Sequence, residues 1–182
     1  MFGPHARSNY LDDEHRIIVG AYPRDEDIPY IIQSGVTVFI NLTEQNEYAT
    51  DENILRLHYP IKSGAAPSTK KMDEIYETVI NLLNKNHKIY IHCTGGHGRA
   101  SVVAAVIIGR IKKIDACEAI HYVESCRNER EDKSRNFIPV PETNAQVKFI
   151  GKILGYENKT LPDRSDLSWL KRVKKERILI GR

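Results

Sequence analysis

The stretch "IYIHCTGGHGRAS", residues 89–101, decides the fold. Ile89 to His92 is a β-branched and aromatic run with strand character. The segment 100–111, which opens with the apolar run "ASVVAAVIIG", reads as apolar all round, as a helix inside a protein would be. Between them lie Cys93, Thr94, Gly95, Gly96, His97, Gly98 and Arg99. A buried strand, a glycine-rich loop and a buried helix form the junction at which open α/β sheets bind ligands.

Outward from that junction, strands and helices alternate. "RIIVGAYP" and "VTVFINL" read as short strands, and "DIPYIIQSG" between them as a short helix with Pro near its start and Gly at its end. "ILRLHYP" alternates apolar and polar, as a half-exposed strand does. Ser68 caps a helix whose Met72, Ile75, Tyr76, Val79, Ile80 and Leu83 fall at helical spacing. Asp115 with Glu118 opens another, with Ala116, Ala119, Ile120 and Val123 on one stripe. "CRNEREDKSRNFIPVPE" reads as a charged, proline-punctuated loop, its Glu129–Arg135 run solvated, with Arg127, Arg130 or Arg135 as candidates to border a cleft. "ETNAQVKFIGKILG" closes as a helix stopped by Gly155. The expected fold is α/β: a central, mostly parallel sheet flanked by helices. Residues 1–15 read as a polar lead-in, 16–155 as the domain and 156–182 as a basic extension.

With 182 residues, 41% hydrophobic and 28% charged, the chain suits one globular domain. Its longest apolar run is far short of the roughly 20 residues of a membrane-spanning helix, and its polar start is no signal peptide. Three cysteines at scattered positions make no disulfide framework. A reducing, cytoplasmic protein is expected, with Cys117 and Cys126 as packing residues. The net charge is +3, yet "KRVKKERILIGR" over 171–182 carries +5, which leaves −2 for the rest. The positive charge is thus an appendage, a solvated helix end or a contact for RNA, lipid or an acidic partner. Trp169 and Leu170 ahead of it are expected to dock on the body.

The chemistry follows from the spacing. Five residues between Cys93 and Arg99 are enough for a loop that curls around one tetrahedral anion. Glycines let successive backbone N–H groups turn inward, and the helix adds its unpaired N–H groups and the positive end of its dipole. Arg99 offers a planar fork for two phosphoryl oxygens. The same field favours a thiolate, the nucleophilic form of cysteine. The pattern suits thiol-based phosphoryl transfer through a phosphocysteine, with no metal or other cofactor. His92, Cys93 and His97 supply three ligands where structural zinc takes four.

"HCTGGHGR" resembles the His-Cys-x5-Arg signature of the protein tyrosine phosphatase superfamily, in its dual-specificity-like branch. "IIVGAYP", "VTVFINLTEQNE", "LHYPIKSGAAPS" and "PVPETNAQVKFI" extend the resemblance over roughly residues 16–155. It implies Cys93 as nucleophile and Arg99 as phosphate clamp. The backbone of Thr94, Gly95, Gly96, His97, Gly98 and Arg99 would be the phosphate cradle. His92 would support the thiolate from behind, and Gln146 would help position the hydrolytic water. Two positions depart from the pattern. Ser63 in "PIKSGAAPS" stands where relatives place an aspartate general acid, and losing such an acid costs about 10²–10⁴ in rate. Ala100 replaces a Ser or Thr after the arginine, with Ser101 one position late. Either another acid serves (Glu44, Glu47, Asp51 or His97), or the substrate needs little protonation, or the site is a weak catalyst or a phosphate-reading module. The expectation is a working phosphatase acting on phosphorylated proteins, the alternative a phosphoinositide or other small phosphate. His97 would point into the cleft and favour a polyanionic substrate or bond a neighbouring loop.

Overall fold

The runs at 17–20, 38–41 and 89–92 are buried throughout, so each needs cover on both faces, and the chain supplies it. A computed structural model describes residues 2–45, 54–157 and 159–180. It contains β1 (Ser8–Tyr10), β2 (Ile17–Gly20), α1 (Ile28–Gln33), β3 (Val38–Asn41), β4 (Leu55–His58), α2 (Thr69–Asn84), β5 (Ile89–His92), α3 (Arg99–Lys112), α4 (Ala116–Asn128), α5 (Asn144–Leu154) and α6 (Ser168–Ile180). The sheet order is β1-β2-β5-β3-β4. Among the described strands only β1 runs antiparallel to its neighbour. Ile89 faces Ile17 on one side and Val38 on the other, which makes β5 the central strand.

Alternation along the strands sorts the two faces. Ile17, Val19, Val38, Ile40, Ile89 and Ile91 join α2 to α5 in the large core. Ile18, Phe39 and Tyr90 point the other way, onto Ile31 of α1 and Val36. Helix α3 is buried from Arg99 through Gly109, packed among α2, α4, α5 and the sheet, as its uniform apolarity requires. The caps read from the sequence form: the Ser68 hydroxyl accepts from Lys71 N–H at 3.2 Å, and Asp115 with Glu118 makes a reciprocal capping box. A second box, Thr143 with Gln146, opens α5.

Two regions differ from the sequence reading. The polar lead-in supplies the edge strand β1, with His5, Ser8, Asn9 and Leu11 buried. Asn is a poor strand former, and the three residues Ser8, Asn9 and Tyr10 are too few to carry a periodic signal. The charged loop gives its first residues, Cys126 to Asn128, to α4, and Arg127 and Arg130 are only 2% exposed. Their terminal guanidinium nitrogens bond to main-chain carbonyls, which offsets much of the cost of burying them.

In the extension, α6 lies against the body. Arg172 stacks 3.9 Å over the Phe137 ring, and Trp169 is half-buried. Among the described residues no helix is long and apolar enough to cross a membrane.

Candidate active site

Cys93 follows the last residue of β5 and is 3% exposed. The loop from Thr94 to Gly98 then turns into α3, whose N-cap, Gly98, offers no side-chain hydrogen bond. The first amides of that helix are therefore left for a ligand.

The loop is held from outside through three successive carbonyls. Thr94 O accepts from Tyr22 N–H at 3.1 Å. Gly95 O accepts from Arg130 Nη1 at 3.4 Å. Gly96 O accepts from Arg130 Nη2 and from Ser101 Oγ, both at 3.2 Å. In a planar trans peptide the next N–H points opposite to the carbonyl. The N–H groups of Gly95, Gly96 and His97 are thereby turned to the concave side. Gly96 has φ +71°, and a Cβ there would lie 2.6 Å from the backbone C and O of Gly20, so only glycine fits against β2.

Arg130 is anchored in turn by Asn9 Oδ1 of β1 at 2.8 Å and by Val19 O at 3.3 Å. Burial pulls its guanidinium down to about 10, so it stays cationic at neutral pH. Arg99, 6% exposed, donates to Ile61 O at 2.9 Å, to Thr94 Oγ1 at 2.8 Å and to Leu42 O at 3.5 Å. The arginine fork is thus preset at the loop rather than free in solvent.

The two histidines are neutral. Burial holds His92 down at about 3, against a Cys93 backbone hydrogen bond that pulls the other way. Its ring sits edge-on to Tyr22 at 5.3 Å, behind Cys93. Burial, reinforced by Arg130, Arg127 and Arg135, pushes His97 well below its usual value. Its ring packs over Gly95, and its Nδ1 is buried without a hydrogen-bond partner. It brings the cleft no positive charge.

Cys93 opens onto a cavity of about 790 Å³, far larger than a phosphoryl group. Ser63 lies on its wall and is exposed; its N–H donates to Glu44 Oε2 at 3.3 Å. Glu44 therefore lies at the rim beside it, while Glu47 and Asp51 fall outside the described residues. Ser101 Oγ is turned onto the Gly96 carbonyl, and Ala100 is fully buried.

Gln146 is fully buried at the start of α5. Its Oε1 accepts from the N–H groups of Glu142 at 3.0 Å and Thr143 at 3.2 Å, and its Nε2 donates to Ala65 O at 3.1 Å. It thereby ties α5 to the segment carrying Ser63. A Cβ on Gly98 would lie 2.9 Å from Gln146 Nε2 and 2.6 Å from Glu142 Oε2, so both side chains reach the loop. Glu142 is a cavity residue that the sequence reading passed over. It lies within the quoted "PVPETNAQ", but a glutamate before a helix cap ordinarily signals only a helix start. Across the cleft, Trp169, Leu170, Val173 and Lys174 of α6 form part of the wall. Cys93, Cys117 and Cys126 are free thiols.

The arrangement can hold a tetrahedral oxyanion against backbone amides and one arginine, above a sulfur at the end of a strand. Comparison with known proteins agrees. The chain is 27% identical over 177 residues to the putative tyrosine phosphatase 067L of Invertebrate iridescent virus 3, across 85% of this chain and 72% of that protein. It is 28% identical over 167 residues to the putative tyrosine phosphatase 197R of Invertebrate iridescent virus 6, across 86% of this chain but 57% of the relative. The crystal structure of Tk-PTP in the active form superposes with a TM-score of 0.68 at 21% identity, over 82% of this chain and 96% of that one. The family model described as "PTP-SAK: Swiss Army Knife protein, DSP-PTPase phosphatase domain" matches residues 6–141. The chain belongs to that family, a dual-specificity-like branch of the protein tyrosine phosphatase superfamily.

Proposed function

We propose that the protein hydrolyses phosphomonoesters through a phosphocysteine intermediate, most plainly on phosphorylated proteins. The observation that carries this reading is the triple outward anchoring of the loop carbonyls beside a preset Arg99. Donors fixed before the reaction stabilise the charge of the transferring phosphoryl group without reorganising. Cys93 attacks phosphorus in line, while Arg99 and the amides from Thr94 to Arg99 hold the equatorial oxygens. His92 supports the sulfur from behind as a neutral ring. Ser101 acts on the loop through Gly96 O. Gln146 Nε2 donates to Ala65 O and lies close to Gly98, which suits it to place the water of the second step. The free thiols fit a reducing, cytoplasmic setting.

A second reading, a phosphoinositide or other small phosphate, is favoured by the basic residues Arg24, Arg135 and Lys174 on the cavity wall. The basic extension is our candidate contact for an acidic partner, lipid or RNA.

The test is phosphate release from dinitrophenyl phosphate, which needs little acid assistance, by the native protein and Cys93→Ser. The expected result is turnover by the native protein alone, with vanadate binding kept by the variant. Near-native turnover by Cys93→Ser would overturn the mechanism. No turnover by reduced, folded native protein would leave a phosphate-binding module.

A further inference from the structure

The Ser63 position leaves the proposed reaction without a proton donor, and the cavity offers a replacement. Among the described residues three carboxyl side chains line it: Glu44, Asp132 and Glu142. Glu44 is exposed at the rim, with its Oε2 accepting the Ser63 N–H. Asp132 accepts the Ser134 N–H at 2.9 Å; burial pulls its carboxyl up, but Ser134 together with Arg7 and Arg135 holds it below its usual value. It is an anion at the outer wall. His97 is neutral, so it has no imidazolium proton to give.

Glu142 differs in place and environment. Its Oε2 lies against Gly98, where the loop passes into α3, next to Gln146 Nε2. Its own N–H donates to Gln146 Oε1 at 3.0 Å, so its backbone is fixed to the residue suited to hold the attacking water. We propose that Glu142 is the general acid and base of this site, in place of the absent aspartate. This rests on the thiol-phosphatase reading. Burial raises the carboxyl above the ordinary range and Arg99 opposes only part of that rise, so Glu142 keeps its proton to higher pH than an exposed glutamate does.

In the first step the Cys93 sulfur forms the S–P bond as the ester P–O bond breaks. The Glu142 proton passes to the departing oxygen, which leaves as the alcohol. In the second step a water oxygen bonds to phosphorus as the S–P bond breaks. The Glu142 carboxylate takes the water proton, the thiolate is restored and inorganic phosphate leaves.

The experiment compares kcat/KM for dinitrophenyl phosphate and phenyl phosphate in the native protein, Glu142→Gln and Glu44→Gln. This ratio reports formation of the phosphocysteine, the step that needs the acid. Glu142→Gln is expected to lower kcat/KM for phenyl phosphate by about 10²–10³ and to leave dinitrophenyl phosphate within about threefold. Vanadate inhibition should be unchanged, because the loop amides and Arg99 remain. An equal loss on both substrates, or no loss on phenyl phosphate, overturns the proposal. A selective loss in Glu44→Gln alone moves the acid to Glu44 and overturns it too. Should Glu142→Gln fail to bind vanadate, Glu142→Asp decides: a carboxyl one methylene shorter must show a smaller selective loss on phenyl phosphate, and an unselective loss overturns the assignment. Failure of the parent reading looks different, since Cys93→Ser would then turn over dinitrophenyl phosphate, or the native protein would not.

Discussion

Lowering the pH from 7.5 to 5.0 is expected to destabilise the fold through its buried histidines. His5 is held neutral at about 4, chiefly by burial, with Asp27 opposing and Arg7, Arg130 and Arg24 assisting. His92 is held at about 3, again by burial first. In the unfolded chain both titrate near 6.5. A folded-state value below the unfolded one means that the unfolded chain binds the proton first. The stability is therefore complete above pH 6.5 and is lost as pH falls towards 4. At pH 5.0 the gap of roughly 1.5 units costs about 2 kcal/mol per histidine, about 4 kcal/mol for the two. His97, shifted the same way, adds to the loss. Against a total stability of about 5–15 kcal/mol that is a large fraction. Most carboxylates titrate below this window; Glu142, whose carboxyl burial raises, takes up its proton more readily in the folded state and so offsets part of the histidine loss. Urea unfolding followed by circular dichroism at both pH values reads the difference. His5→Gln, which keeps a donor for the Tyr90 hydroxyl now 2.7 Å from His5 Nε2, should flatten the slope by about one proton. A loss smaller than about 1 kcal/mol between the two pH values would refute the neutral, buried assignment.

Gly96→Ala places a Cβ 2.6 Å from the Gly20 backbone at a φ of +71°; a stability loss of at least about 2 kcal/mol and weaker vanadate binding are expected, by urea unfolding and inhibition. Arg130→Met leaves the carbonyls of Gly95 and Gly96 short of a donor; it should cost about 2–4 kcal/mol and raise KM more than it lowers kcat, as steady-state kinetics would show.

Much of the fold was legible because its signals are local. The apolar runs at 17–19, 38–40 and 89–91 and the helical stripe from Met72 to Leu83 repeat at the periods that strands and helices impose. Ser68 and Asp115 act on residues three positions away, so their caps could be read directly. The order of Cys93, three glycines and Arg99 before a buried helix likewise fits within one turn of chain, and the family comparison agrees with the superfamily it suggested.

The parts that escaped depend on distance along the chain. The strand Ser8–Tyr10 looks like a polar lead-in because Asn9 serves Arg130, 121 residues away. Arg130 looks like a solvated charge because its acceptors, the carbonyls of Val19, Gly95 and Gly96, come from two remote segments. Glu142 looks like a helix-start glutamate until α5 is packed beside Gly98. The sequence by itself determined the α/β alternation and the place of a glycine-rich loop between a strand and a buried helix, since backbone period, glycine freedom and residue type act over a few positions. Tertiary structure alone decided how the loop carbonyls are pinned, which carboxyl stands beside the loop and that burial holds His5, His92 and His97 neutral. Burial and long-range hydrogen bonding exist only once distant segments meet.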